Sequence, residues 1–319
     1  VKRLTVLIYG LIVLLAVSGS PVSLQAGDAG QTAAEVLRLG AGAHRPALGG
    51  AGVAAVTGPA SLQYNPAGLA FSEHRELEFT YQSLVEDIQH GNLDATLSPG
   101  PGDQSVLAGG LRYVQYGDED RTEVDDDGEV KPNGSFGGMD AVASIGLGSR
   151  VYENTSIGFT GKLLYLEIDD ETANAIALDA GMRWNSPNKD FPLSLGLVLA
   201  NLGTDVEFDE DGDDLPLTAR AGASLGLNKL IGLPVNLHLD AEHQIESGET
   251  GILTGLEVAV IERLALRGGY NGNLDVDSGF TAGLGAKIMD GMNLDYAFVP
   301  YGDFGTQHRI AFRYHFGGI

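Results

Sequence analysis

The chain has 319 residues, of which 46 are glycine and none is cysteine; 43% are hydrophobic, the mean hydropathy is +0.01 and the formal net charge is −24. That charge disfavours nucleic acid and anionic surfaces as partners, and the lack of cysteine removes disulfides, thiolate zinc sites and a lipidated N-terminal cysteine. Such a balance suits neither a disordered polymer nor a helical membrane protein, so the apolar residues must be dispersed.

Residues 1–26 read as an export signal. Lys2 and Arg3 precede an apolar run from Leu4 to Val17, and a small, polar stretch ends at Ala26 before Gly27-Asp28. The run is short for a spanning helix, which needs about 20 apolar residues. Next comes a segment without alternation, expected over 27–72. It contains LGAGAHRPALGGAGVAA from Leu39 to Ala55 and SLQYNPAGLA from Ser61 to Ala70. Its glycines permit tight packing and positive φ, and Asn65-Pro66 favours a turn.

From residue 73 to 319 the dominant signal is period two. Leu217, Ala219, Ala221, Ala223, Leu225 and Leu227 alternate with Thr218, Arg220, Gly222, Ser224, Gly226 and Asn228; Ile176, Leu178, Ala180, Met182 and Trp184 alternate with Ala177, Asp179, Gly181 and Arg183. Soluble sandwiches alternate too, but three features favour an all-β transmembrane antiparallel barrel. The strands run about 10 to 12 residues, as tilted spanning strands do. Tyr81, Tyr113, Trp184, Tyr270 and Tyr296 sit toward strand ends on the apolar face, as an interfacial girdle requires. The polar face carries full charges that a dry core would not accept.

Strand centres fall near Phe79, Ala95, Gly110, Ile145, Phe159, Leu178, Leu197, Ala221, Leu239, Leu256, Leu266, Leu284, Tyr296 and Phe312, about fourteen in all. An even count returns the C-terminus to the periplasmic side. The longest connections, Gly117 to Gly138 and Gly203 to Pro216, follow odd strands and are expected outside; Ile261 to Arg263 and Met289 to Met292 are tight, as periplasmic turns are. In the last strand Ile310, Phe312, Tyr314 and Phe316 alternate with Ala311, Arg313 and His315. This resembles the C-terminal strand recognised by the barrel-assembly machinery, although Gly317, Gly318 and Ile319 follow the terminal aromatic. Irregular backbone ahead of such a barrel is expected to enter it as a hatch, because non-helical chain at membrane depth must be buried in protein or line water.

The segment before the first strand resembles the start of FadL-like outer-membrane proteins, and most closely the PorV/PorQ branch. The matching positions are Gly42, Ala43, Leu48, Gly49, Gly50 and Ala51, then Asn65, Pro66, Ala67, Gly68 and Leu69. The resemblance implies a fourteen-stranded barrel with an N-terminal hatch, but not one activity. PorV/PorQ-like members serve type IX protein secretion, with secreted cargo and secretion-system components as partners. FadL-like members admit hydrophobic small molecules such as long-chain fatty acids.

Inward-facing charges form the main polar constellation: Asp179, Arg183, Arg220, Asp240, Glu242, Arg267, Lys287, Asp295, Arg309 and Arg313. They read as a mutually neutralising, hydrated interior that holds the hatch or shapes a path. The acidic stretches Glu123 to Glu129 and Asp205 to Asp214 fail the calcium-loop test: Asp214 stands where Gly is needed, and the twelfth position from Glu123 is Gly134. The seven histidines have no metal spacing, and no nucleophile elbow or phosphate loop is present. No catalytic residue, metal or cofactor is therefore expected. The leading expectation is a PorV/PorQ-like secretion component in the outer-membrane lipid. A FadL-like channel for hydrophobic compounds, with no inward-facing apolar cluster visible in the sequence, and a structural or adhesive surface barrel remain as alternatives.

Overall fold

The computed structural model describes residues 32–83, 88–97, 104–124, 129–208, 212–272, 279–300 and 305–316. The expected export signal lies outside them, as do residues 317–319 and, within the two acidic connections, residues 125–128 and 209–211. Fourteen antiparallel strands form one closed barrel. They are β1 Arg75–Ser83, β2 Gln89–Thr96, β3 Ser105–Val124, β4 Val130–Tyr152, β5 Thr155–Ile168, β6 Glu171–Asn185 and β7 Leu193–Gly203, then β8 Thr218–Gly226, β9 Val235–Gln244, β10 Thr250–Ile261, β11 Leu264–Asn271, β12 Phe280–Met289, β13 Met292–Pro300 and β14 Thr306–Phe316. Every expected centre falls within its strand. Sequential strands are neighbours, and β1 closes on β14 from Arg75↔Phe316 to Ser83↔His308, which leaves no open edge.

The burial pattern inverts that of a soluble protein. On β6, Ile176, Leu178 and Met182 are 59%, 45% and 42% exposed, whereas Asp179 and Arg183 are 1% and 8% exposed. Exposing large apolar side chains while burying charges is costly in water, and becomes favourable only when the outer face meets hydrocarbon. The same inversion on β14 leaves Ile310 and Phe316 outside and Arg309 inside. The barrel is therefore built to span a membrane with its strands.

Two stretches differ from expectation. The connection from Gly117 to Gly138 is not a loop, because β3 and β4 remain paired through Glu119↔Phe136, Glu123↔Lys131 and Val124↔Val130. A two-stranded ribbon thus rises beyond the wall. In β7 the register against β6 shifts between Leu178 and Ala180, and Asn201 takes φ +66°. That bulge places Asn201 inward, 4% exposed, although its strand neighbour Ala200 is also buried.

Residues 32–72 carry only short turns: 3-10 turns at Glu35–Leu37, Pro46–Leu48 and Pro66–Phe71, and one helical turn at Ser61–Tyr64. Pro46–Leu48 packs on β10 to β13, whereas Pro66–Phe71 packs on β3 to β6. The segment thus contacts strands on opposite sides of the barrel. Leu48, Leu62 and Leu69 are completely buried there.

Candidate functional site

The polar side chains of the lumen are directed largely at the N-terminal segment. Asp240 on β9 accepts hydrogen bonds from the backbone N–H groups of Gly52 and Val53 at 2.6 and 2.9 Å. Arg183 on β6 donates to Val56 O at 3.0 Å and lies over the Phe71 ring at 4.4 Å. Arg309 on β14 donates to Gly40 O at 2.8 Å. Each of these bonds satisfies backbone that has no sheet or helix partner of its own.

Several other inward charges neutralise one another. Arg267 bridges Glu257 and Asp295 at 2.8 and 2.5 Å, and Arg313 joins Glu78 at 2.8 Å and reaches Asp295 at 3.7 Å. Arg220 pairs with Glu242. Lys162 holds Asp179 and Asn201 Oδ1 at 2.8 and 2.7 Å. The structure therefore brings Asp179, Arg183, Arg220, Asp240, Glu242, Arg267, Asp295, Arg309 and Arg313 into the interior, but leaves Lys287 at a turn beside Asp290. Glu78, Arg112, Lys162 and Glu257 were missed, although strand parity marks all four as inward-facing.

His44 joins this network from the segment, 2.8 Å from Glu257 Oε2. Burial first, and Arg267 second, lower its pKa to about 4. At neutral pH a neutral imidazole therefore donates to the carboxylate.

The Gly-rich motif works by close approach. Gly49 has φ +67°, a left-handed geometry that favours glycine, and its N–H donates to Thr281 Oγ1 at 2.9 Å. Gly42 and Gly50 also have positive φ, at +68° and +85°. Asn65, fully buried, donates through Nδ2 to Val53 O and Met182 O at 2.9 and 3.2 Å and accepts from Ala67 N at 3.1 Å. Pro66 occupies the first position of its turn, where a missing N–H costs nothing. Ala67 O accepts from Ser156 on β5 at 2.8 Å. Gly68 and Leu69 complete the turn, and Leu69 joins Leu62, Val106 and Ala108 in a small apolar cluster.

Nearer the long-connection end, the inward face changes character. Val114, Val142, Leu164, Leu166, Ala173, Ala175 and Ala177 from β3 to β6 form a buried apolar cluster. Ala34, Val36 and Leu37 fill it from the segment, while Val206 and Leu215 cap it from the β7–β8 connection. This overturns the expectation that no apolar group of side chains faces the lumen. Its signal in the sequence is a loss of alternation: Leu163, Leu164, Tyr165 and Leu166 leave both faces of β5 apolar. Arg112 forms the floor, donating to Val36 O and Leu39 O at 2.6 and 3.1 Å.

No family model matches the sequence, and no curated protein is found as a relative. Solved structures do share the architecture. The toluene transporter TodX of Pseudomonas putida aligns with a TM-score of 0.61 at 14% identity, over 86% of this chain and 96% of that one. The CymD monoaromatic hydrocarbon channel aligns at 0.58 and 11% identity, over 88% and 98%. The chain shares the barrel fold of these two structures. At these identities the likeness is one of architecture alone. Among the described residues, no three His, Asp or Glu side chains converge as a metal site.

Proposed function

We propose that the protein is a passive outer-membrane channel of FadL type for hydrophobic small molecules. The observation that carries this reading is the buried apolar cluster on the inward face of β3 to β6. A wholly hydrated lumen would favour polar solutes, whereas this end offers an apolar body an environment that water does not. The solved barrels with the same architecture, described as a toluene transporter and a monoaromatic hydrocarbon channel, favour the same direction. In this reading residues 27–72 are the hatch, held by Asp240, Arg183 and Arg309, within a barrel over 73–319 behind an export signal over 1–26.

The secretion role implied by the PorV/PorQ resemblance draws no support from this geometry. One experiment separates the two. Cells making the intact barrel or a Leu164→Asp/Leu166→Asp variant are given N-phenyl-1-naphthylamine, a neutral fluorescent hydrophobe. Entry several-fold faster with the intact barrel is expected, with unchanged secreted proteins. Equal entry rates together with an altered set of secreted proteins would favour secretion.

A further inference from the structure

Asp140 on β4 is buried, 6% exposed, at the outer rim of the apolar cluster. It stands opposite Val114 of β3 and Leu166 of β5, both members of that cluster. Its carboxylate accepts from Tyr116 Oη at 2.8 Å. Among the described residues no Lys, Arg or His forms an ion pair with it, unlike Asp179, Asp295 and Glu78 below. The nearby cations are committed elsewhere. Arg112 donates to Val36 O and Leu39 O, and Lys162 is held between Asp179 and Asn201. Glu35 of the segment, on the same side, is engaged by Arg38 at 3.2 Å.

From this arrangement we infer that the long-connection end of the barrel binds a hydrophobic amine, with the apolar body displacing part of the segment from the β3 to β6 side chains and the positive charge on the Asp140 carboxylate. The inference rests on the channel reading above and narrows its ligand. A buried carboxylate without a counter-charge is costly, and a ligand cation removes that cost as it binds. The approach to this end carries the same sign. Among the described residues of the two adjoining connections, Asp118, Glu119, Asp120, Glu123, Glu129, Asp205, Glu207, Asp213 and Asp214 outnumber the bases Arg121 and Lys131. Such a mouth concentrates cations and repels carboxylates before they arrive.

The test compares octyltrimethylammonium, octanol and octanoate, which share one apolar chain and differ in charge. Binding to the purified full chain in lipid nanodiscs is measured by equilibrium dialysis against empty nanodiscs. The ammonium is expected to bind at least about tenfold more tightly than octanoate. In Asp140→Asn that preference is expected to collapse while octanol binding stays the same. Tyr116→Phe removes the hydroxyl that competes for the carboxylate, so it should hold the ammonium as tightly or more tightly. Folding of both variants is checked by heat-dependent migration. Should Asp140→Asn not fold, a loss of ammonium binding in Tyr116→Phe would itself overturn the inference, and retention would support it. Octanol binding without ammonium preference would overturn the amine assignment and leave the channel reading standing. No binding by any of the three would overturn both.

Discussion

Gly148→Ala tests whether the N-terminal segment is held by close backbone approach to the wall. A Cβ at Gly148 would lie 2.7 Å from Leu69 Cβ, 2.7 Å from Pro66 O and 2.8 Å from Ala70 N. Ordinary contact begins at 3.4 Å, so the turn at Pro66–Phe71 must retreat by about 0.7 Å. Neighbouring Gly158 allows no retreat along the wall, since its own Cβ position is 2.5 Å from Ala67 N. Overpacking of this kind costs about 1–3 kcal/mol. Gly161→Ala on β5 is the control, because nothing lies within 4 Å of its Cβ position. There the substitution should be neutral or stabilising by about 0.5–1 kcal/mol, since alanine restricts the unfolded chain. Thermal unfolding in detergent reads the stability, and amide exchange at residues 65–69 reads the turn itself. Faster exchange and a lower midpoint are expected for Gly148→Ala alone. If the two variants unfold alike and protect the turn alike, the reasoning fails.

Further substitutions probe the interior. Lys162→Met should cost about 3–5 kcal/mol, because it strands the buried Asp179 carboxylate, and Lys162→Met/Asp179→Leu should recover most of that loss in urea titrations. Asp240→Ala leaves the Gly52 and Val53 N–H groups without their acceptor. A loss of about 1–3 kcal/mol and higher single-channel conductance are expected as the segment loosens. His44 has a folded pKa of about 4, below its unfolded value of about 6.5. The unfolded state therefore binds more protons between these values, so stability should fall as pH drops through that window, and His44→Gln should flatten the profile of the unfolding midpoint.

Much of the wall was legible because a spanning strand obeys one rule along its whole length. Residues such as Ile176 and Asp179 differ in parity, and parity alone assigns them to lipid and lumen. The same rule locates Asp240 and Arg313 but does not say what they hold, since Asp240 binds backbone N–H groups nearly 190 positions away, at Gly52 and Val53. The ribbon at the end of β3 and β4 looks like a loop in the sequence because neither of its faces is apolar. Two strands already paired in the wall can continue into water on backbone hydrogen bonds, so they need no buried face there. The apolar cluster was hidden for the opposite reason. Where Leu163 to Leu166 are apolar on both faces, alternation vanishes and its absence carries the information.

The division of the lumen follows from two demands that one composition could not meet. Irregular chain such as Gly49–Val56 has backbone donors and acceptors that a hydrocarbon-lined interior would leave unpaired, so the walls facing it must be polar and charged. Those charges must then be paired with one another, as Arg267 is with Asp295, or the segment would float in a costly field. An apolar solute gains nothing from such a surface. Apolar side chains gather instead where the segment presents side chains rather than backbone, at Val36 and Leu37, and where most inward residues of the facing strands are apolar. The apolar cluster therefore sits beside the polar network, at the long-connection end of the barrel.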